Sequence, residues 1–247
     1  MIPQAAAAAA RQPVRELEVA WSTNPHTLRR ARLLELSGWA FYIAGRGGVL
    51  GDDARPDTVA AALGVISPDA VRAGWEAARK AGPSSVAASR LAECARWGSE
   101  HLESLPQVDR VVQLAERVVA AADGVAMPIF AAARAMPQPD TTSGGRVAVL
   151  VHLLHEHRAA AMLLAAQACG LSPVEALIAG PDGEEEALTF GWQPPFPARA
   201  ATLRRYHFAE SLADRICGRA WSALAPAERR ELVTLVSEAA QMVRRRP

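Results

Sequence analysis

The chain has 247 residues, of which 50% are hydrophobic and 21% charged, with a formal net charge of +1. This length suits one large domain, or a main domain with a small appended one, and the apolar share is ample for a buried core. A charge so near zero gives no global field toward nucleic acid or an anionic membrane. Three scattered cysteines, Cys94, Cys169 and Cys217, exclude a disulfide framework or zinc ribbon and fit a reducing, cytoplasmic setting.

Alanine and leucine favour helix, the β-formers Thr, Tyr and Phe are scarce, and no regular strand spacing is visible. The expected fold class is all-α. Residues 1–25, Ala-rich and with few anchors, read as a flexible N-terminal arm. Asn24-Pro25 opens a first helix with Leu33, Leu34, Leu36, Phe41 and Ile43 on its buried side. It runs out in Gly45-Arg46-Gly47-Gly48, read as a flexible cationic turn. Pro56 and Ser67-Pro68 open two shorter helices, and Ser84 or Ser85 a longer one through Leu91, Cys94, Trp97 and Leu102. The spacing of Val111, Leu114, Val118 and Val119 predicts a helix over 107–122.

A short helix carries Ile129, Phe130 and Met136. The breaker-rich run Met136-Pro-Gln-Pro-Asp-Thr-Thr-Ser-Gly-Gly145 then offers the best internal division. The most apolar helix, Val147 to Ala168, is apolar all round and so expected to be central. No stretch is read as long enough in apolar residues for a membrane span, so no membrane partner is expected. Ser172-Pro173 starts another helix, acidic Asp182 to Glu186 follows, and Phe190 to Pro197 reads as a linker. Two final helices span about 198–223 and 226–245, and Arg244-Arg-Arg246 suits a helix C-terminus. The organisation expected is thus an arm (1–25), a helical body (26–180) and a C-terminal helical part (181–247), the last two free to pack as one domain.

His152-Leu-Leu-His155-Glu156-His157-Arg158 is the sharpest polar feature, set in the most apolar helix. Residues three and four apart share a face, so His152, His155 and Glu156 can converge. That set reads as hydrogen-bonded core structure, as an acid–base or ligand-binding group, or as a metal site; the spacing is not His-Glu-x-x-His, and no metal is assigned. Glu210 and Asp214, four apart, lie on one face and can pair with Arg158, Arg46 or the histidines. Trp39, Tyr42 and Arg46 read as a pocket wall with a cationic lip. No phosphate loop, nucleophile elbow or dinucleotide fingerprint appears, and no cofactor is expected. Arg199, Arg204 and Arg205 decorate one helix in a way that suits either DNA or a plain Arg-rich surface.

Three segments together resemble the SalK-like helix-turn-helix family of actinobacterial proteins: Gly38-Trp-Ala-Phe-Tyr-Ile-Ala-Gly-Arg-Gly-Gly-Val-Leu-Gly51, Leu153-Leu-His-Glu-His-Arg158, and Phe190-Gly-Trp192 with the Glu210–Asp214 spacing and Ala220-Trp-Ser-Ala-Leu224. The resemblance runs from about Leu36 onward. It implies a helical body followed by a winged-helix-like part. Two departures matter. Ala159-Ala-Ala-Met162 replaces the polar Gly-Asp-x-His that usually follows Glu-His-Arg, and the stretch between Trp192 and Asp214 is too short for a wing. The expected architecture is therefore a multi-helix bundle with a C-terminal degenerate helix-turn-helix-like part.

The leading expectation is a small-molecule-binding protein, with a cofactor-independent enzyme of specialised metabolism as its catalytic form. Its pocket lies between the first and central helices. Arg46, Tyr42, Trp39, Arg158 and His152 bind ligand, the arginines as anion or carbonyl ligands; His155 and His157 do acid–base work; Glu210 and Asp214 orient. The alternative is a transcriptional regulator that reads DNA through Arg199, Arg204 and Arg205, as a homodimer. A helical interaction partner without chemistry would instead show a large exposed apolar patch.

Overall fold

The computed structural model describes residues 1–245; Arg246, the last of the three terminal arginines, lies outside them. Among the described residues there are thirteen α-helices and no strand, so the fold is all-α and carries no wing.

The N-terminus is not a loose arm. Residues Pro3–Ser22 form α1, and Ala6, Ala10, Val14, Leu17 and Trp21 are buried on one face at helical spacing. The alanines that make this segment look unanchored are what admit its neighbours: with so little side chain, other helices approach closely. A Cβ on Gly218 would already lie 3.0 Å from Gln4. Burial at small residues replaces the large anchors expected of a core helix.

The first helix foreseen from Asn24 is two. Pro25–Leu33 is α2, with the Asn24 side chain accepting from the His26 N–H. Gly38–Gly47 is α3, capped by Ser37, and Glu35 at φ +58° makes the break between them. Gly45-Arg46-Gly47 is not a flexible turn either; it is buried helix. Its glycines serve close approach, because a Cβ at Gly45 would sit 2.2 Å from Cδ of Arg90.

The next elements are α4 (Pro56–Leu63), α5 (Pro68–Ala78), α6 (Pro83–His101), α7 (Val108–Ala121) and α8 (Pro128–Ala135). Then α9 (Ser143–Ala168) runs through the centre. It begins earlier than the periodicity suggests because Thr142 caps it, accepting from the Gly145 N–H, and its first-turn glycines let α6 come close. A Cβ on Gly98 would meet the carbonyl oxygen of Gly144 at 2.5 Å. Two of the run's four breakers after Met136 are therefore helix, docked on α6, and the segment does not divide the molecule. On length and hydropathy α9 passes as a membrane span, with 61% of its most apolar window buried inside the protein. The interspersed histidines and Glu156 hide that property from a simple run count.

Two short helices, α10 (Pro173–Ala179) and α11 (Gly183–Thr189), lead to α12 (Arg199–Trp221) and α13 (Pro226–Arg244). The main core cluster draws on α1, α6, α7, α8, α9, α12 and α13 together. A smaller cluster, with Ile43, Val59, Leu63, Ile66, Val71 and Trp75, joins α3, α4 and α5.

Candidate functional site

The arrangement starts with an arginine placed on an apolar helix. Arg46 on α3 is 7% exposed and reaches Glu156 on α9 through two hydrogen bonds, Nε to Oε1 at 2.7 Å and Nη2 to Oε2 at 2.8 Å. Its Nη1 donates to the Tyr42 hydroxyl at 3.1 Å. Burial alone would push the Glu156 carboxyl up, but the facing guanidinium outweighs it and holds the group at about 2. A second buried set lies alongside. Glu18, on α1, accepts from Nε1 of Trp21 at 2.8 Å and from Nη2 of Arg90 at 3.2 Å, and Nδ1 of His152 lies 3.0 Å from it. Burial opposes ionisation there too, yet His152 and Arg90 hold Glu18 well below the usual range. The guanidinium of Arg90 stands 4.2 Å from the Trp21 ring centroid, a cation–π contact in a desolvated setting.

These pairs underlie one end of a cleft of about 1190 Å³ between α3 and α9, bounded further by α1, α4, α10 and α11. Glu18, Arg46 and His155 reach into it. Trp39, Tyr42 and Phe190 form a stacked wall, with Trp39 centred 5.5 Å from Tyr42 and 5.9 Å from Phe190. Trp192 joins this wall, pinned by its Nε1 donating to Val65 O at 2.7 Å. On the α9 side, Ala159, Met162, Leu163 and Ala166 form an apolar stretch between His155 and Gln167. Burial pushes His155 below the ordinary imidazole range, so the ring facing the cleft is neutral near pH 7.

The sequence-predicted residues separate. Trp39, Tyr42, Arg46 and His155 meet at the cleft. His152 does not line it but lies beneath, on Glu18. His157 points elsewhere: it packs on Phe130 at 4.8 Å between centroids and is 4% exposed, with its pKa lowered to about 4 chiefly by burial. An acid–base role for His157 in this cleft is therefore excluded by position. Arg158, Glu210 and Asp214 form a separate cluster between α9 and α12, with Arg158 3.1 Å from Asp214 and 3.7 Å from Glu210, and Arg11 of α1 also on Glu210 at 2.5 Å. They pair as ions with one another away from the cleft lining, Arg158 Nη1 and Asp214 Oδ1 facing each other without a hydrogen bond, which removes Arg158 as the cleft's ligand group and the two carboxylates as its orienting groups. His152, His155 and Glu156 do not converge, because Glu18 takes the first and Arg46 the last. Among the described residues no cluster of three metal-ligating groups occurs.

Sequence reasoning missed Glu18, Arg90, Phe190 and Trp192. For the first two a signal existed: Glu18 falls on the Val14–Leu17–Trp21 face of α1, and Arg90 among Val86, Ala87, Leu91 and Cys94. A charge inside an apolar stripe needs a partner. For Phe190 and Trp192 the signal was two large aromatics in a segment read as linker.

Of the three arginines proposed for DNA, two are committed inside the chain. Arg199 donates to Gly180 O at 3.0 Å, and Arg205 to Gly170 O and, at 2.9 Å, to Glu175. These contacts tie α12 to the ends of α9 and α10, while Arg204 is exposed.

A family model described as a helix-turn-helix family matches residues 7–246. No curated protein and no solved structure matches.

Proposed function

The chain belongs to this helix-turn-helix family, and on that premise we propose that its helical body holds a small, largely apolar molecule in the cleft between α3 and α9. The observation that carries this reading is the cleft itself: about 1190 Å³, with a wall of aromatic and aliphatic side chains, Glu18, Arg46 and His155 among the polar groups that reach into it, and further charged residues around it. Such a concave apolar site with a small convergent polar set is what ligand sites are made of. Two N–H groups of Arg46 remain after its bonds to Glu156 and Tyr42, enough for a ligand acceptor. Of the groups expected to do acid–base work, His155 alone reaches the cleft, so an enzymatic form of this reading runs through it. The resemblance to SalK-like actinobacterial proteins and a place in specialised metabolism belong to the same proposal.

Titration with the neutral dye Nile red tests it. One saturable site is expected in the wild type. Both Ala61→Trp, on an exposed lining residue, and Ala159→Trp, on the α9 wall, should weaken it at least tenfold. Absence of saturable binding, or binding unchanged in both variants, would sink the reading.

Family membership favours a second reading, DNA binding. Here α4 and α5, joined through Gly64–Ser67, have the helix–short turn–helix connectivity, with Gly64 at φ +68° as the C-cap. That turn also borders the cleft, which would couple ligand to DNA. Fluorescence anisotropy with duplex from upstream of the protein's own coding sequence, against scrambled duplex, decides. Selective binding that survives physiological salt supports the regulator, as a homodimer on a two-fold site; weak, salt-labile binding to both duplexes removes it.

A further inference from the structure

The charges around the cleft say what kind of molecule it admits. Its lining carries five carboxylates, Glu18, Asp57, Asp182, Glu185 and Glu186, against three guanidinium groups, Arg15, Arg46 and Arg72. The guanidinium groups are already matched. Arg46 is held by Glu156, Arg15 by Asp182 and Glu186, and Arg72 by Asp57 and Asp69. The two buried carboxylates at the inner end, Glu18 and Glu156, are balanced by Arg90 and Arg46, so that end is neutral. The rim keeps an excess of negative charge.

We infer that the cleft selects against anions and takes an uncharged or cationic ring-containing molecule, with a hydrogen-bond acceptor turned to Arg46 and any ammonium group left at the Glu185–Glu186 rim. This rests on the ligand-binding reading above and goes further in naming the ligand's charge. Of the two roles expected of Arg46, anion or carbonyl ligand, it keeps the second. A carboxylate ligand would have to displace Glu156 from a two-bond pair, which leaves a buried carboxylate without its partner, or else enter the cleft uncompensated; both are strongly unfavourable. A neutral carbonyl or hydroxyl avoids both, since two Arg46 N–H groups remain for it. The stacked wall of Trp39, Tyr42 and Phe190 supplies flat apolar area for rings.

The test uses three fluorescent probes on one skeleton: 1-pyrenemethanol, 1-pyrenemethylammonium and 1-pyrenecarboxylate, titrated into the full-length protein at neutral pH. The alcohol and the ammonium should bind at least tenfold more tightly than the carboxylate. Glu156→Gln, which leaves Arg46 without its counter-ion, should raise carboxylate affinity at least tenfold. Because that buried variant can lose its fold, Glu185→Lys at the exposed rim provides an independent arm. It should weaken the ammonium probe severalfold, strengthen the carboxylate and leave the alcohol unchanged. A carboxylate that binds the wild type as tightly as the alcohol overturns the inference while the pocket stands. Failure of all three probes, with no Nile red site, removes the pocket reading and the inference together.

Discussion

Arg46 and Glu156 are 7% and 2% exposed and hold each other in a two-bond ion pair at that depth. Arg46→Ala should therefore cost about 3–5 kcal/mol, most of it from stranding Glu156. The double change Arg46→Met with Glu156→Leu should cost far less, since no charge is left behind. Urea denaturation measures both, and a single variant within 1 kcal/mol of wild type would contradict the pairing. The carboxyl of Glu156 sits at about 2, below its ordinary 4.5. Its contribution is complete above pH 4.5 and is lost as pH falls toward 2. His157 acts in a higher window. Its folded pKa of about 4 lies below the ordinary 6.5, so between these values the unfolded chain binds the proton more readily. Stability should be full above pH 6.5 and fall by on the order of 3 kcal/mol as pH drops to 4. Urea midpoints against pH should show this limb, and His157→Gln should remove most of it, His155 supplying the remainder in the same direction. A wild-type profile flat from pH 7 to 4 would refute the buried neutral imidazole.

Helix α1 is the element whose status changes most between a sequence view and the folded chain. As a loose arm it would tolerate almost anything; as a core helix it would not. Leu17 is 1% exposed on its buried face, so Leu17→Ala should destabilise by about 2–5 kcal/mol. A loss under 0.5 kcal/mol would return the segment to the status of an arm. Contact between α3 and α6 depends on glycine in the same way that α1 depends on alanine. Gly45→Ala would place a methyl 2.2 Å from Cδ of Arg90, in a layer that cannot open without moving the Arg90–Glu18 pair. Overpacking of this kind costs about 1–3 kcal/mol. Thermal unfolding followed by circular dichroism reads it, and an unchanged midpoint would show that α3 can slide away from α6.

Across the whole molecule, the main core cluster runs from Ala6 to Ala240 and takes side chains from both ends of the chain and from α9 between them. Helices α12 and α13 share that core with the body, so unfolding by urea should be one transition, with far-UV dichroism and tryptophan fluorescence coincident. Two separated transitions would instead mark an independent C-terminal part. The amino-acid sequence by itself determined the helical class, the approximate place of most helices after residue 55, the centrality of α9, and Trp39, Tyr42, Arg46 and His155 as residues of interest. Those follow from propensity, capping and period, which act within a few residues. Only the tertiary structure decided that α1 is core, that Gly45 and Gly98 are places of close helix contact, and that His157, Arg158, Glu210 and Asp214 turn away from the cleft. It alone also paired Arg46 with Glu156, and His152 with Glu18, across 110 and 134 residues. Partner choice for a buried charge depends on which helix packs opposite, and local sequence carries no information about that.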